Sequence, residues 1–406
     1  MFKIVQTHVV RHLSLLMILA GALGFFISNF LLKEILDANQ YGQYSIFVSY
    51  FSLIYLFGIF GTEQVFLRFS FQSKKNTIQT QKLQLYLVGG ISIFSSMLST
   101  FIMKVYYPEI PINTVLLLLS SFCMIGTLFL LNMLRLNSDF VLSQFVSNYW
   151  KMVLFATTAF FYLFHKCNLS DFIQFVAINM ILVFIVASIY IYKNIKIEFN
   201  EEVSGRDIGI TAFHFFLAIF GFSLINFADR FIIEAKFSIS EFGDFFYLTN
   251  FFLAPFTILQ NYIGFKQLIV FKDKFDKEYF IRFNQKAIAF GFLLGIALYI
   301  SSYVLCFFKV LKFNFSESLS IISLLLLLGI VRLYSSSIIS AFEARTSMES
   351  LRKSNIYILL ITVLVLFIAI IFGNSIEPIL ICIISIWAFR CFVHRQLILC
   401  QMKNES

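Results

Sequence analysis

Two stretches of this chain decide its fold: LLKEILDANQYGQYSIFVSYF begins at Leu31, and FIIEAKFSISEFGDFFYLTNFF begins at Phe231. Tyr41-Gly42 aligns with Phe242-Gly243 at an offset of 201 positions. In each stretch a short polar turn comes first, followed by an aromatic residue, a glycine and an aromatic-rich apolar span. Residues of a polar turn can cap the next helix, and glycine allows close packing at the corner. The pattern therefore predicts two halves of similar structure.

The composition around both stretches is too apolar for a water-soluble protein. Of the 406 residues, 59% are hydrophobic and 13% are charged, with 55 Phe and 4 Pro. Soluble domains are about 25% charged. The apolar segments recur along the whole chain at the length of roughly 20 residues that crosses a hydrocarbon core. We therefore predict an all-α integral membrane protein with the lipid bilayer as its solvent.

Twelve apolar segments are long enough to span the membrane. They lie near 12–33, 44–62, 83–103, 114–134, 147–165, 172–192, 209–233, 244–265, 286–307, 319–341, 355–373 and 378–398. The segments 147–165 and 209–233 carry the most polar residues. The first segment is longer than the apolar region of a secretory signal, so it is predicted to be the first membrane helix.

The distribution of Lys and Arg predicts the orientation of these helices. With the N-terminus placed in the cytoplasm, 23 basic residues lie on the inner side, 7 on the outer side, and Arg332 within a span. Positive residues favour the cytoplasmic side, so both termini are predicted to be cytoplasmic. The net charge of +9 then reflects topology, and no nucleic-acid partner is expected.

Six helices in each half, 1–200 and 201–406, predict two parallel bundles related by a pseudo-twofold axis along the membrane normal. Such bundles can rock about a central cleft and give alternating access.

The segments between the spans are too short to form a catalytic domain. The longest predicted loops are Glu63–Lys82 and Lys266–Gln285, both on the inner side. The second mixes basic and aromatic residues and is predicted to lie at the membrane surface, against anionic headgroups. The six Cys and five His are dispersed without the spacing of metal or redox motifs, so no metal site or cofactor is expected.

Several motifs resemble a known family. Leu31–Phe69 contains Tyr41-Gly42-x-Tyr44, then Gly61, and then the charged residues Glu63 and Arg68 after the second span. FADRFIIEAKFSISEFGDFFYLTNFFLAPF from Phe227 and LNMLRLNSDFVLSQFVSNYWK from Leu131 add an Asp-Arg pair and a basic inner loop. Together they resemble bacterial polysaccharide exporters of the O-antigen flippase type, in the multidrug/oligosaccharidyl-lipid/polysaccharide superfamily.

The resemblance implies a MATE-like pair of six-helix lobes around a cationic cavity, in the bacterial inner membrane. It also implies the activity: translocation of an undecaprenyl-diphosphate-linked oligosaccharide, an O-antigen or capsule repeat unit, from the inner to the outer leaflet. A polysaccharide polymerase and chain-length proteins are the partners that the resemblance implies.

Ionisable groups inside a span are costly and are candidates for function. Arg332, near the middle of the tenth span, is predicted to bind substrate phosphate, because a guanidinium can hold phosphate oxygens bidentately. The alternatives are a carboxylate partner on another helix, or snorkelling to the inner face. Asp229 and Arg230 point about 100° apart on the seventh helix, so one is expected to face the cavity and the other a helix interface.

A second group of candidates lies toward the inner ends of the spans. Arg68 and Lys151 are predicted to contact substrate, and Glu63 and Arg135 to form a gate or a coupling site. Asp139 belongs to the same group of charged residues at the inner ends of the spans. Anchoring of topology with surface ion pairs is the alternative for this group, and it is the favoured one. His214 is a candidate for proton coupling, although a polar contact between helices is favoured for it.

Three other functions stay open at this point. A drug/cation antiporter of the same superfamily usually has buried carboxylates for cationic substrates, whereas the clearest charge within a span is the cation Arg332. A membrane-embedded glycan polymerase or transferase would usually have a sizeable outer loop. A non-transporting membrane scaffold is the remaining alternative.

Overall fold

The computed structural model describes residues 2–164, 168–200, 204–273, 275–346 and 348–405. Within these ranges the chain forms thirteen helices and three short strands. The first part holds α1 (Phe2–Ile35), α2 (Ala38–Phe57), α3 (Thr62–Phe69), β1 (Phe71–Lys74), β2 (Thr77–Thr80), α4 (Lys82–Tyr106), α5 (Thr114–Leu136), α6 (Phe140–Phe164), α7 (Leu169–Asn194) and β3 (Lys196–Phe199). The second holds α8 (Gly205–Lys236), α9 (Ile239–Asp273), α10 (Lys277–Phe307), α11 (Leu319–Arg345), α12 (Met348–Phe372) and α13 (Ile376–Glu405).

The predicted membrane spans are confirmed as helices, and α3 is a short continuation of the second span. In the described part of the chain, eleven helical segments are long and apolar enough to cross a membrane. The twelfth, α6, covers the segment 147–165 except for His165, which lies outside the described residues. Helix α6 is long enough to span a membrane, but its polar residues make it less apolar than the other eleven segments. The chain divides into two compact units, Met1–Ser223 and Leu224–Ser406, with the boundary inside α8.

The repeat recognised in the sequence is present in the structure. Helix α2 begins at Ala38 and helix α9 at Ile239, again 201 positions apart. Asp37 caps α2 by accepting a hydrogen bond from the backbone N of Gln40 (2.8 Å). Ser238 and Glu241 form a capping box at α9, in which each side chain accepts a hydrogen bond from the backbone N of the other residue. The polar turns therefore start the corresponding helices in both halves.

Equivalent helices pack in equivalent pairs within each unit. In the first unit α5 contacts α2, α4 and α7, and α6 contacts α7. In the second unit α11 contacts α9, α10 and α13, and α12 contacts α13. The most apolar part of α11 is 61% buried, whereas that of α12 is 22% buried. Helix α11 is therefore an interior helix of its unit, and the apolar surface of α12 is left for lipid.

A break interrupts the second span before its end. Phe60 (φ 53°) and Gly61 (φ 75°) both have left-handed backbone, so α2 stops and α3 starts in a new direction. A Cβ at Gly61 would lie 2.9 Å from Cβ of Phe215, so the position requires glycine for space as well as for φ. The break buries the first turn of α3, including Glu63.

A small sheet, absent from the sequence analysis, joins the segments that follow α3 and α7. Strand β2 pairs with β1 antiparallel and with β3 parallel. On exposed β3, Lys196 donates a hydrogen bond to Glu198 (3.0 Å). This bond and the charge of Lys196 lower the pKa of Glu198. The predicted inner loop Glu63–Lys82 is therefore ordered as a helix and a hairpin.

The prediction of a loop at Lys266–Gln285 is wrong. Helix α9 continues to Asp273 and α10 starts at Lys277, so most of the predicted loop is helical. Phe271 and Phe280 are buried in a cluster with Ile338 and Phe342 of α11, and the position of the segment at the membrane surface stays a prediction. These rings extend the core of the second unit to the ends of α9 and α11.

Candidate functional site

Arg332 of α11 is a buried cation with unsatisfied hydrogen-bond donors. Its side chain is 7% exposed, and Nε and Nη2 are buried without a hydrogen-bond partner. The guanidinium carbon lies 5.2 Å from the ring centroid of Trp387 on α13, which gives a cation–π contact. Trp387 is fully buried, and its Nε1 has no hydrogen-bond partner either. Three buried donors therefore meet here, and an anion with several acceptor oxygens would satisfy them.

Asp229 and Arg230 of α8 interact with the same cation. The structure records electrostatic interactions of Arg332 with both residues, attractive with Asp229 and repulsive with Arg230. Asp229 is 1% exposed, and its Oδ1 accepts a hydrogen bond from the backbone N of Arg230 (2.9 Å). The guanidinium carbon of Arg230 lies 5.3 Å from the ring centroid of Phe246 on α9. The two side chains thus have different surroundings: the Asp229 carboxylate is buried, and Arg230 packs on an aromatic ring.

The packing of α9 against α11 fixes the position of Arg332. Gly329, one turn before Arg332, has no room for a side chain: an added Cβ would lie within 2.7 Å of Cγ and Cε2 of Phe256. About two turns after Arg332, the hydroxyl of Ser340 donates to the backbone oxygen of Gly264 on α9 (2.8 Å). The hydroxyl of Ser337 donates to the side-chain oxygen of Asn284 on α10. Close contact and interhelical hydrogen bonds of this kind hold membrane helices together.

Sequence reasoning missed the contribution of α13 to this site. Arg390 is one of the 23 basic residues counted on the inner side, yet its guanidinium carbon lies 5.7 Å from the same Trp387 ring. His394, one turn further, stacks on Phe342 of α11 with ring centroids 4.1 Å apart. The spacing Trp387, Arg390 and His394 follows one helical face, which is the signal that the sequence offered. The contact with Arg332 depends on tertiary structure and could not be derived from spacing.

The candidates in the first unit do not form a comparable site. Glu63 is 3% exposed, with Oε2 unpartnered, and its Oε1 accepts a long hydrogen bond from Nε2 of Gln64 (3.4 Å). Arg68 and Arg135 are exposed. Half-buried Lys151 has its ammonium 5.8 Å from the ring centroid of Trp150. The salt bridges recorded among the described side chains, Lys196–Glu198 and Arg282–Glu278, include none of these candidates. No ion pair is thus recorded among the described side chains of these candidates, and their role in anchoring the topology stays a prediction.

No polar contact between helices is recorded for His214 among the described side chains, and both readings of this residue stay predictions. The side chain is exposed, and its recorded ring contact is with its neighbour Phe213, at a centroid distance of 6.3 Å. Among the side chains that the structure describes, no group of three or more His, Cys, Asp or Glu is arranged to hold a metal ion.

Comparison with solved structures supports the fold. A structure described as MATE in complex with Br-NRF has a TM-score of 0.50 to this chain, and the match covers 96% of each chain at 12% identity. No model of a known protein family matches the sequence, and no curated protein matches it. The chain therefore has a MATE-like, all-α membrane fold, and at this identity the likeness shows the fold alone.

Proposed function

We propose that this protein is a transporter that moves an anionic, lipid-linked glycan across the inner membrane, with Arg332 binding the phosphate. The observation that carries the proposal is the buried guanidinium with two unsatisfied N–H groups beside the unsatisfied Nε1 of Trp387. A charge inside a span is costly and is retained for function. The MATE-like fold supplies a membrane body, which suits a substrate that moves through the bundle.

The proposed substrate class follows from the chemistry of this site and from the motifs of the sequence. Arg332 and Trp387 present donors only, and phosphate oxygens accept such bonds strongly. The stretches around Tyr41-Gly42 and Phe227 resemble those of O-antigen exporters, so an undecaprenyl-diphosphate-linked repeat unit fits both lines of reasoning. In this account the sugar-diphosphate headgroup enters the protein from the cytoplasmic leaflet, and the isoprenoid tail remains in lipid.

Substitution of Arg332 tests the proposal. In cells that depend on this chain for a surface polysaccharide, Arg332→Gln should lower export at least about tenfold at equal protein level, because a buried phosphate contact is lost. Arg332→Lys should retain part of the export, since Lys keeps the charge but lacks the planar fork. Arg345→Gln is the matched control on the same helix, since Arg345 is exposed. Full export by Arg332→Gln would refute the proposal.

A drug/cation antiporter is the second candidate, and one observation favours it. Asp229 is a carboxylate with 1% exposure in the second unit, the type of group that would bind a cation. Under this alternative, Asp229→Asn abolishes transport of organic cations and Arg332→Gln does not. A cation-efflux assay on both variants decides between the two functions.

A further inference from the structure

Arg390 lies beside the same indole as Arg332. The guanidinium carbons of the two residues are 5.7 Å and 5.2 Å from the Trp387 ring centroid, so they are no more than about 11 Å apart. Arg332 comes from α11, whereas Arg390 lies one turn after Trp387 on α13. Two cations from different helices therefore share one fully buried ring.

Glu343 supplies the opposite charge at this position. It lies 11 residues after Arg332 on α11, about 16 Å further along the helix axis, toward the end predicted to be cytoplasmic. The structure records an attractive electrostatic interaction between Glu343 and Arg390. Glu343 is exposed and Arg390 is half-buried. Arg390 is thus placed between an accessible carboxylate and the ring that it shares with Arg332.

We propose that Arg390 is an entry site for the phosphates of the substrate headgroup, and that Glu343 is the counter-ion that the incoming phosphate displaces. This inference rests on the proposed function, because it assumes an anionic substrate. A guanidinium binds carboxylate and phosphate with the same planar arrangement of N–H groups, so a phosphate can take over the attraction that Glu343 exerts on Arg390. The phosphate then passes along Trp387 to Arg332, whose donors are unsatisfied in the structure.

The presence of two guanidiniums at one ring also indicates which anion they bind together. A diphosphate has two phosphate groups, so each guanidinium can bond to a different phosphate, and it carries more negative charge than a monophosphate. The pair Arg332 and Arg390 should therefore favour a diphosphate headgroup over a monophosphate. Glu343 repels both anions, so its removal should strengthen the binding of each.

Fluorescence of Trp387 provides the test. The chain has two Trp, so Trp150→Phe leaves Trp387 as the sole indole. Inorganic diphosphate is titrated into this purified protein at fixed ionic strength, and the Kd is read from the emission of Trp387. Adding Arg390→Gln should weaken binding about tenfold, and adding Glu343→Gln should strengthen it about tenfold. Inorganic monophosphate should bind more weakly than diphosphate, with a smaller loss on Arg390→Gln.

Two further variants keep the test decisive. Arg395→Gln is the matched control on α13, since Arg395 is exposed and donates to the hydroxyl of Tyr334 (3.2 Å); it should leave the Kd unchanged. Arg390→Lys should bind diphosphate with intermediate affinity. Binding that requires Arg332 but not Arg390, or weaker binding after Glu343→Gln, overturns this inference and leaves the proposed function standing. Absence of any response in the protein with Trp387 alone, together with full export by Arg332→Gln, overturns both.

Discussion

Substitution of Gly329 tests whether close packing of α9 and α11 positions Arg332. An alanine Cβ would lie within 2.7 Å of two atoms of the Phe256 ring, and Phe256 is fully buried, so the ring has no free space to move into. Overpacking of this kind costs about 1–3 kcal/mol, of which the better helix propensity of Ala offsets up to about 1 kcal/mol. The clash involves a fully buried ring, so we expect a net cost of about 1–2 kcal/mol; at about 2–4 °C per kcal/mol for a unit of this size, Gly329→Ala should lower the Tm by about 2–8 °C.

The measurement is thermal unfolding of the purified protein in detergent. The loss of the monodisperse peak in size-exclusion chromatography is recorded after heating to increasing temperatures. Gly295→Ala is the matched control, because its Cβ would meet Cδ1 of Ile330 at 3.7 Å, an ordinary contact; it should leave the Tm unchanged or raise it. Phe256→Leu should partly rescue Gly329→Ala by opening space. An unchanged Tm for Gly329→Ala, or an equal loss in both glycine variants, would show that this contact does not set the packing of α11.

Three further predictions concern the repeat, the sheet and the topology. Asp37→Ala and Ser238→Ala should each cost about 0.5–2 kcal/mol, because each removes the cap of the equivalent helix; a Tm loss in only one variant contradicts the equivalence. Asn137→Ala removes hydrogen bonds to Asn76 and Asp139, so limited proteolysis should cut the β1–β2 hairpin faster, and an unchanged rate counts against the role of Asn137. Green fluorescent protein fused to the C-terminus should fluoresce if that end is cytoplasmic, and a dark but expressed fusion reverses the predicted orientation.

Hydrophobic segments and their polar turns were sufficient to predict the helical architecture. Span length is set by bilayer thickness, and a turn such as that at Asp37 has a local cap, so both can be derived from neighbouring residues. The offset between Gly42 and Gly243 indicated the repeat for the same reason. The sheet was not predicted, because β2 and β3 lie more than a hundred positions apart and each has four residues. Strand pairing of such short segments depends on the helices that bring them together.

The candidate site was predicted only in part. Arg332 could be recognised because a charge within an apolar span is conspicuous, and Asp229 and Arg230 do interact with it electrostatically. Trp387 was missed because an aromatic residue is an ordinary feature of a membrane helix, and Arg390 because it was counted with the basic residues of the inner side. Which cation meets which ring depends on the rotation of α13 against α11. The sequence alone does not determine that rotation.

Translocation in reconstituted vesicles tests the central claim most directly. A polyprenyl-diphosphate-linked oligosaccharide is placed in vesicles that contain the protein, and its arrival in the opposite leaflet is followed over time. The wild-type protein should move this lipid faster than protein-free vesicles do, and Arg332→Gln should be slower by at least about tenfold at equal amounts of folded protein. Equal rates for the wild type and Arg332→Gln would contradict the assignment of Arg332 as the site that binds the phosphate.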